Sequence, residues 1–228
     1  AVALVVIDAE GDKAFCAGGD IQQLFDTGCA GDFAYGWRFW ADEYRLNAKI
    51  ARYPKPYVAL MQGFVMGGGV GVSCHGSHRV VCESTQVAMP ECGIGLVPDV
   101  GGSLLLARAP GRLGEYLGLT GARMGSADAI LAGFADFYVP KLKWSDLIES
   151  LVESGTTESI KEMSETAPQG ALIALQARID AHFGGETLQD ILNSLRHDDS
   201  DFARDTLKVI ARGSPLSMAC AVEMIHRL

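Results

Sequence analysis

Four short glycine runs, all within residues 14–103, constrain the fold of this chain more than any other feature. They are AGG at 17–19, GGG at 67–69, GIG at 93–95 and GG at 101–102. Glycine allows positive φ and exposes backbone N–H groups without a side chain in the way. Two such turns, each following a strand, can aim two N–H groups at one oxygen atom, as an oxyanion hole requires. Close packing of helix against strand explains the same glycines, so both interpretations stay open.

Strand and helix patterns alternate over roughly the first 140 residues, which indicates a layered α/β architecture. GDKAFCAGGD is interpreted as a glycine-rich turn region. Helical spacing of Phe33, Trp37, Trp40 and Tyr44 predicts a helix that ends before Pro54. The predicted elements of this part are strands at 2–8, 57–61, 79–82 and 86–89, a small-residue helix after the GGG run, and helices at 32–52, 102–108 and 113–119.

The pattern changes after residue 140, where no strong strand run remains and every periodic segment is helical. Gly155, Pro168, Gly184 and Gly213 lie in the spacers and serve as stop signals. The sequence therefore predicts an all-helical C-terminal part. Its predicted helices are 145–154, 157–165, 170–182, 187–196, 201–211 and 216–227.

Charge and hydropathy exclude several classes of protein. The 228 residues include 19 Lys and Arg against 28 Asp and Glu, a formal net charge of −9, and 48% of them are hydrophobic. This apolar content excludes a disordered chain, and the acidic balance argues against a nucleic-acid-binding surface. No apolar run reaches the roughly 18 residues that a membrane span needs. The six cysteines form no CxxC pair, which predicts free thiols and a reducing compartment. Cys16, Cys74, Cys82 and Cys92 lie in apolar or glycine-rich strings and are predicted to be buried.

Common cofactor and nucleophile motifs fail on their spacing. The GGG run lacks the last glycine of a dinucleotide fingerprint, and no Gly-Lys pair is present to form a P-loop. Residues 71–75 resemble a serine-hydrolase elbow, but His75 occupies its last glycine position. His75 and His78 lack a third ligand, so no metal site is predicted.

Three carboxylates are the remaining candidates for chemistry. Glu91 lies in VAMPECGIG and Asp99 in GLVPDVGG, where a carboxylate is costly unless it is paired. Two of them close together suggest acid–base or nucleophilic roles. Alternatively, Asp99 caps the helix that begins near Gly101 and Glu91 sits at a turn. Glu43 is the third candidate, although a charged helix face is the usual explanation for such a residue.

Four strings together resemble the crotonase, or enoyl-CoA hydratase/isomerase, superfamily. They are KAFCAGGDI (13–21), KPYVALMQGFVMGGGVGVS (55–73), MPECGIGLVPDVGG (89–102) and LGEYLGLTGARMGSADAILAGFADFYVP (113–140). Within the superfamily the markers resemble the subfamily that hydrolyses 3-hydroxyisobutyryl-CoA. The resemblance implies a crotonase-like α/β spiral of repeated β-β-α units over 1–140 and a helical C-terminal region over 141–228. It also implies that sequence precedes Ala1 and continues past Leu228.

The resemblance also assigns roles to single residues. The family's two oxyanion-hole donors fall on Gly19 and Gly68, and its catalytic pair in the hydrolase subfamily falls on Glu91 and Asp99. Glu43 falls on the subfamily's substrate-contacting glutamate, and Gly68, Glu91 and Asp99 also contact substrate. A hydratase has a further catalytic glutamate two residues after the GGG run, where this chain has Gly71.

The resemblance therefore implies an enzyme that hydrolyses a short hydroxyacyl-CoA thioester, 3-hydroxyisobutyryl-CoA above all, as in valine degradation. The alternatives are an enoyl-CoA hydratase or isomerase and an inactive CoA-binding protein of this fold. We expect no metal or other cofactor, because CoA is part of the substrate. We expect no nucleic-acid or membrane partner, and a homo-oligomer, trimer or hexamer. The expected location is the cytoplasm in a bacterium or the mitochondrial matrix in a eukaryote.

Overall fold

Seven parallel strands form two separate sheets in the computed structural model, which describes residues 2–228. The four-stranded sheet has the order β1-β3-β5-β7 and the three-stranded sheet the order β2-β4-β6. Odd and even strands thus alternate between the sheets, as a spiral of repeated β-β-α units requires. The strands are β1 Val5–Ile7, β2 Ala14–Cys16, β3 Tyr57–Met61, β4 Phe64–Met66, β5 His78–Val81, β6 Gln86–Ala88 and β7 Phe137–Tyr138.

Helices fill the connections and the whole C-terminal part. Among residues 2–228, none of them is both long and apolar enough to cross a membrane. They are α1 Ile21–Cys29, α2 Phe33–Ala51, α3 Gly68–Ser73, α4 Gly102–Ala107, α5 Leu113–Thr120, α6 Ser126–Leu131, α7 Trp144–Ser154, α8 Glu158–Met163, α9 Leu172–His182, α10 Leu188–Arg196, α11 Asp201–Ile210 and α12 Pro215–His226. Single 3-10 turns lie at Glu91–Ile94 and Lys141–Lys143.

The sequence predictions hold for the long elements and for the short strands β1, β5 and β6, and they fail for β2, β4 and β7. The strand at 57–61, the helix within 32–52 and all six C-terminal helices are confirmed. The interpretation of GDKAFCAGGD as a turn region is wrong, because Ala14–Cys16 pairs with β4 as a strand. The sequence does not predict β4, β7, α1 or α6. β4 and β7 contain only three and two residues, too few to show a period.

The C-terminal helices pack on two sides of the spiral. α7 and α8 cover one face of the four-stranded sheet, where Trp144, Leu147 and Ile160 meet Val58 and Val80. The helices α9 to α12 join the larger cluster that also holds the three-stranded sheet, α4 and α5. That cluster contains residues from both sides of residue 140, so the hydrophobic core is continuous across the predicted boundary. The division into units at 1–140 and 141–228 stays a prediction.

Candidate active site

One small cavity is lined by all five residues to which the sequence gives site roles. Gly19, Gly68, Glu43, Glu91 and Asp99 face a volume of about 90 Å³. They come from four segments of the chain: the turn after β2, the start of α3, α2, and the loop that joins β6 to α4. The remaining wall is largely apolar and is formed by Ile21, Leu24, Phe39, Trp40, Pro90, Ile94, Leu96 and Val100, with Ala17, Gly18 and Gly67.

Two backbone nitrogens, those of Gly19 and Gly68, lie close together in the wall of this cavity. A Cβ placed on Gly68 would lie 3.6 Å from the Gly19 nitrogen, and one placed on Gly18 would lie 3.6 Å from the Gly68 nitrogen. Within residues 2–228, neither the Gly19 nor the Gly68 N–H donates a backbone hydrogen bond. Two neighbouring N–H groups without backbone acceptors are the kind of donors that can bind one oxygen atom that becomes negative. Their catalytic role stays a prediction.

Two glutamates flank this pair of amides. A Cβ on Gly67 would lie 3.1 Å from Glu91 Oε1, and one on Gly68 would lie 2.6 Å from Glu43 Oε1. Any side chain at these two positions would therefore displace a carboxyl group. The sequence leaves two explanations open for the glycine runs, a functional site or close packing of helix against strand. At Gly67 and Gly68 the absence of a side chain makes room for functional carboxyl groups. Close packing applies at Gly69, where a Cβ would overlap the Cys16 carbonyl oxygen.

A short 3-10 turn holds Glu91 inside the protein. The turn Glu91–Ile94 ends at Gly95, whose φ of 85° is left-handed, and the Leu96 N–H donates to the Glu91 carbonyl. The Glu91 residue is only 5% exposed, and its Oε2 atom has no hydrogen-bond partner within residues 2–228. Burial, and then repulsion from Asp99 and Glu43, raises the pKa of Glu91 to about 8.

Asp99 is held by a hydrogen bond from a distant helix. Tyr44 Oη on α2 donates to Asp99 Oδ2 at 2.6 Å, across 55 residues of sequence. The alternative role of Asp99 as a helix cap is excluded, because Gly101 is the N-cap of α4 and α4 has no side-chain cap. Burial raises the pKa of Asp99, while the Tyr44 hydroxyl and the residue's own N–H lower it.

Glu43 lies half-buried beside the other two carboxyl groups rather than on an exposed face. Its pKa is raised by burial first and by repulsion from Asp99 second. All three carboxyl groups of the cavity therefore hold protons more tightly than they would in water. Perturbed carboxylates that share a cavity are typical of acid–base or nucleophilic sites.

The residue after Asp99 has a strained backbone. Val100 has φ of 47° and is the only non-glycine residue with positive φ within 2–228. This conformation is rare for a β-branched residue and persists where surrounding contacts enforce it. His75 Nε2–H donates to the Val100 carbonyl at 2.6 Å. His75 thus supports the loop that carries Asp99. His78 instead lies 2.9 Å from Ser77 Oγ through its Nδ1 atom.

Gly71 leaves no room for a side chain. A Cβ there would lie 2.7 Å from Asn47 Nδ2 and 2.9 Å from the Val100 Cβ. Asn47 is buried, and neither atom of its amide group has a hydrogen-bond partner within residues 2–228. A glutamate in place of Gly71 would require Asn47 of α2 and Val100 to move.

Residues 2–228 contain no cluster of three or more His, Cys, Asp or Glu arranged to hold a metal ion. The six cysteines are all free, and Cys74, Cys82 and Cys92 are buried as predicted, while Cys16 is only partly buried. The expectation that no cofactor is needed stays a prediction.

Sequence reasoning misses Tyr44 and His75 as parts of the site. Tyr44 belongs to the aromatic stripe of α2, which is formed by the helically spaced residues Phe33, Trp37, Trp40 and Tyr44. The sequence suggests His75 only as a candidate metal ligand. The stripe is largely exposed, since Phe33 and Trp37 are 67% and 78% accessible. It lines an apolar groove of about 620 Å³ between α1 and α2, which shares Leu24 and Trp40 with the cavity. No signal along the chain distinguishes Tyr44 from the rest of the stripe.

Comparison with known proteins gives a consistent picture of ancestry. The family model described as enoyl-CoA hydratase/isomerase matches residues 1–228. The chain is 42% identical over 226 residues to the mitochondrial 3-hydroxyisobutyryl-CoA hydrolase of Xenopus tropicalis, covering 94% of this chain and 58% of that protein. The chain therefore spans somewhat more than half the length of such curated relatives.

Two solved structures superpose closely. An enoyl-CoA hydratase from Rhodobacter sphaeroides 2.4.1 is 55% identical with a TM-score of 0.94, and a carnitinyl-CoA dehydratase from Mycobacterium thermoresistibile is 44% identical with the same score. Each match covers 99% of this chain and 66% of the other. The spiral of parallel strands, the matching family model and these relatives agree, and the chain belongs to the enoyl-CoA hydratase/isomerase family.

Proposed function

We propose that this protein hydrolyses a short hydroxyacyl-CoA thioester, 3-hydroxyisobutyryl-CoA above all, to the free acid and CoA. The observation that carries the proposal is the convergence of two acceptor-free amides, those of Gly19 and Gly68, with the buried Glu91 carboxyl in one small cavity. The name of the Xenopus tropicalis relative, a 3-hydroxyisobutyryl-CoA hydrolase, supports the choice of substrate.

The two amides bind the thioester carbonyl oxygen in this mechanism. Their N–H groups stabilise the negative charge that develops on that oxygen, which is worth on the order of 3 kcal/mol per donor. Because the cavity wall is apolar, little water competes for this charge. A thioester is already an activated acyl group, so the reaction needs no further activation by a metal.

Glu91 has two possible roles, and both need its ionised form. As a nucleophile, its oxygen forms a bond to the acyl carbon while the C–S bond breaks, and CoA leaves as a thiolate that takes up a proton. Water then cleaves the resulting anhydride. As a general base, Glu91 instead removes a proton from the attacking water. Asp99 orients the water or the substrate hydroxyl, and Glu43 holds the hydroxyacyl group.

Enoyl-CoA hydration is the second candidate, and the name of the Rhodobacter sphaeroides relative, an enoyl-CoA hydratase, favours it. Addition of water across a double bond needs a base and an acid that act together. A second glutamate at position 71 has no space, because Asn47 and Val100 already occupy it. This crowding favours hydrolysis.

The decisive experiment follows free thiol released from a panel of acyl-CoA thioesters, with loss of the enoyl absorbance of crotonyl-CoA measured in parallel. The panel includes 3-hydroxyisobutyryl-CoA and 3-hydroxypropionyl-CoA, which differ by one methyl group. We expect thiol release that Glu91→Gln and Asp99→Asn each reduce at least 100-fold. Normal rates in both variants, or turnover of crotonyl-CoA alone, would overturn the proposal. Binding of CoA by calorimetry without any turnover would favour an inactive CoA-binding protein.

Self-association and location complete the proposal. We expect a homo-oligomer, trimer or hexamer, which light scattering after size-exclusion chromatography measures. We expect the bacterial cytoplasm or the mitochondrial matrix as its location, and the vertebrate relative is named as mitochondrial. We expect no partnership with nucleic acid or membrane.

A further inference from the structure

One phenolic hydroxyl reaches the group of carboxyls in the cavity. Tyr44 Oη lies 2.6 Å from Asp99 Oδ2. Within residues 2–228, no Lys, Arg or His forms an ion pair with Glu43, Glu91 or Asp99. Within residues 2–228, Tyr44 is therefore the one side chain that donates a hydrogen bond to any of these three mutually repelling acids. A hydrogen bond from a neutral donor to a carboxylate is strong when water is scarce.

We propose that Tyr44 is a positioning residue, whose hydroxyl fixes the Asp99 carboxylate in one orientation and stabilises its ionised form. Asp99 Oδ1 then stays available to the attacking water or to the substrate hydroxyl. The inference rests on the proposed function, in which Asp99 orients one of these groups.

The surroundings of Tyr44 argue against a purely structural role. Its residue is 44% exposed, and its ring lines the groove between α1 and α2 beside Trp37 and Trp40 rather than the core. Removal of one hydroxyl there leaves no buried void. The main chain next to Asp99 is supported separately, because His75 binds the Val100 carbonyl. The Tyr44 bond therefore orients the Asp99 side chain specifically.

The charged groups around Asp99 explain why the Tyr44 hydroxyl favours the ionised form of this carboxyl group. The groups that face Asp99 are Glu43 and Tyr44 from α2, Glu91 from the 3-10 turn, and His75 beyond the end of α3 through the Val100 carbonyl. The pKa of Tyr44 is raised far above its usual value, by burial first and then by its bond to Asp99. Tyr44 therefore keeps its proton throughout the working pH range. Its hydroxyl lowers the pKa of Asp99, so its removal raises that pKa.

Tyr44→Phe tests the inference. We expect kcat to fall roughly 10- to 100-fold, and the pKa of the Asp99 carboxyl, followed by ¹³C NMR, to rise. Tyr35→Phe is the matched control, since it lies on the same helix and its hydroxyl donates to Gln23 Oε1 at 2.7 Å, outside the cavity. The control should keep the rate and the pH profile of the wild type.

A double-mutant cycle with Asp99→Asn separates action through Asp99 from general damage. Addition of Tyr44→Phe to Asp99→Asn should cause no further loss of rate. An additive loss, or an unchanged pKa of the Asp99 carboxyl in the single variant, would overturn the inference. Wild-type thiol release tests the proposed function by itself, and if the wild type instead hydrates crotonyl-CoA, the same ratios are measured on that reaction. Titration of the Asp99 carboxyl by ¹³C NMR reports the same rise in pKa without turnover.

Discussion

Replacement of Glu91 by glutamine should change how the stability of this protein depends on pH. The folded protein raises the pKa of Glu91 from 4.5 to about 8. Between these two values the unfolded chain has lost a proton that the folded protein still holds. Unfolding therefore releases a proton, and the free energy of unfolding falls as the pH rises. Below the lower pKa the carboxyl is neutral in both states, so it contributes no pH dependence there.

The magnitude follows from the size of this pKa change. Each pH unit corresponds to about 1.36 kcal/mol, so ionised Glu91 destabilises the folded state by on the order of 3 to 5 kcal/mol above pH 8. The residue is only 5% exposed, so solvent screening removes little of this cost. The glutamine side chain does not ionise, so the variant lacks this pH-dependent cost.

Urea unfolding followed by tryptophan fluorescence measures the effect at about pH 5 and about pH 8.5 for wild type and Glu91→Gln. The wild type should lose several kcal/mol more than the variant between these two pH values. Glu153→Gln, on the exposed face of α7, is the control and should follow the wild type. If the free energies of unfolding of wild type and Glu91→Gln change in parallel, the buried-carboxylate reasoning is refuted.

Other parts of the site have their own tests. In Gly19→Ala the new Cβ would lie 2.4 Å from a ring carbon of Phe39, so we expect thiol release to fall at least 100-fold. Gly28→Ala is the control: its Cβ would have no atom within 4 Å, and its rate should equal that of the wild type. His75→Ala removes the bond to the Val100 carbonyl and should lower the free energy of unfolding by about 1–2 kcal/mol; an unchanged urea midpoint contradicts this role. The kcat/KM of the wild type should rise with pH about a midpoint near 8, the pKa of Glu91, and a flat profile between about pH 6 and 9 would exclude the ionised form as the active one.

Sequence predicts the parts of this fold whose signal is long or chemically unusual. β3 is predictable because Val58, Ala59, Leu60 and Met61 form a continuous apolar run, and all four are fully buried. The C-terminal helices are predictable from their stop signals, such as Gly155, which adopts the left-handed conformation that ends α7. The short strands β5 and β6 are predictable because the turn at 83–85 separates their apolar runs. β4 and β7, with three and two residues, carry no period of their own, and pairing with a neighbouring strand determines their conformation.

The residues of the candidate site also differ in whether a local sequence signal marks them. Glycine runs and carboxylates in apolar surroundings are unusual wherever they occur, so the runs at 17–19 and 67–69 and the side chains of Glu91 and Asp99 can be singled out locally. The family resemblance then selects Gly19 and Gly68 within those runs. Tyr44 cannot be singled out in this way, because its role depends on a partner that lies 55 residues away. Its helical spacing predicts only the helix. A contact between segments that are distant in sequence, such as the bond from Tyr44 to Asp99, leaves no signal in either segment. Such contacts complete the site, so only the structure shows them.

The helical C-terminal part takes part in the geometry of the site although no site residue comes from it. Ser214, the N-cap of α12, donates its N–H to the Cys92 carbonyl at 2.9 Å, one residue after Glu91. A Cβ on Gly213 would lie 3.1 Å from the same oxygen, so the turn before α12 fits closely against the 3-10 turn. A functional side chain keeps its geometry where the backbone that carries it is held in place. The tail therefore supports Glu91 from outside the cavity, and changes to α12 should alter catalysis as well as stability.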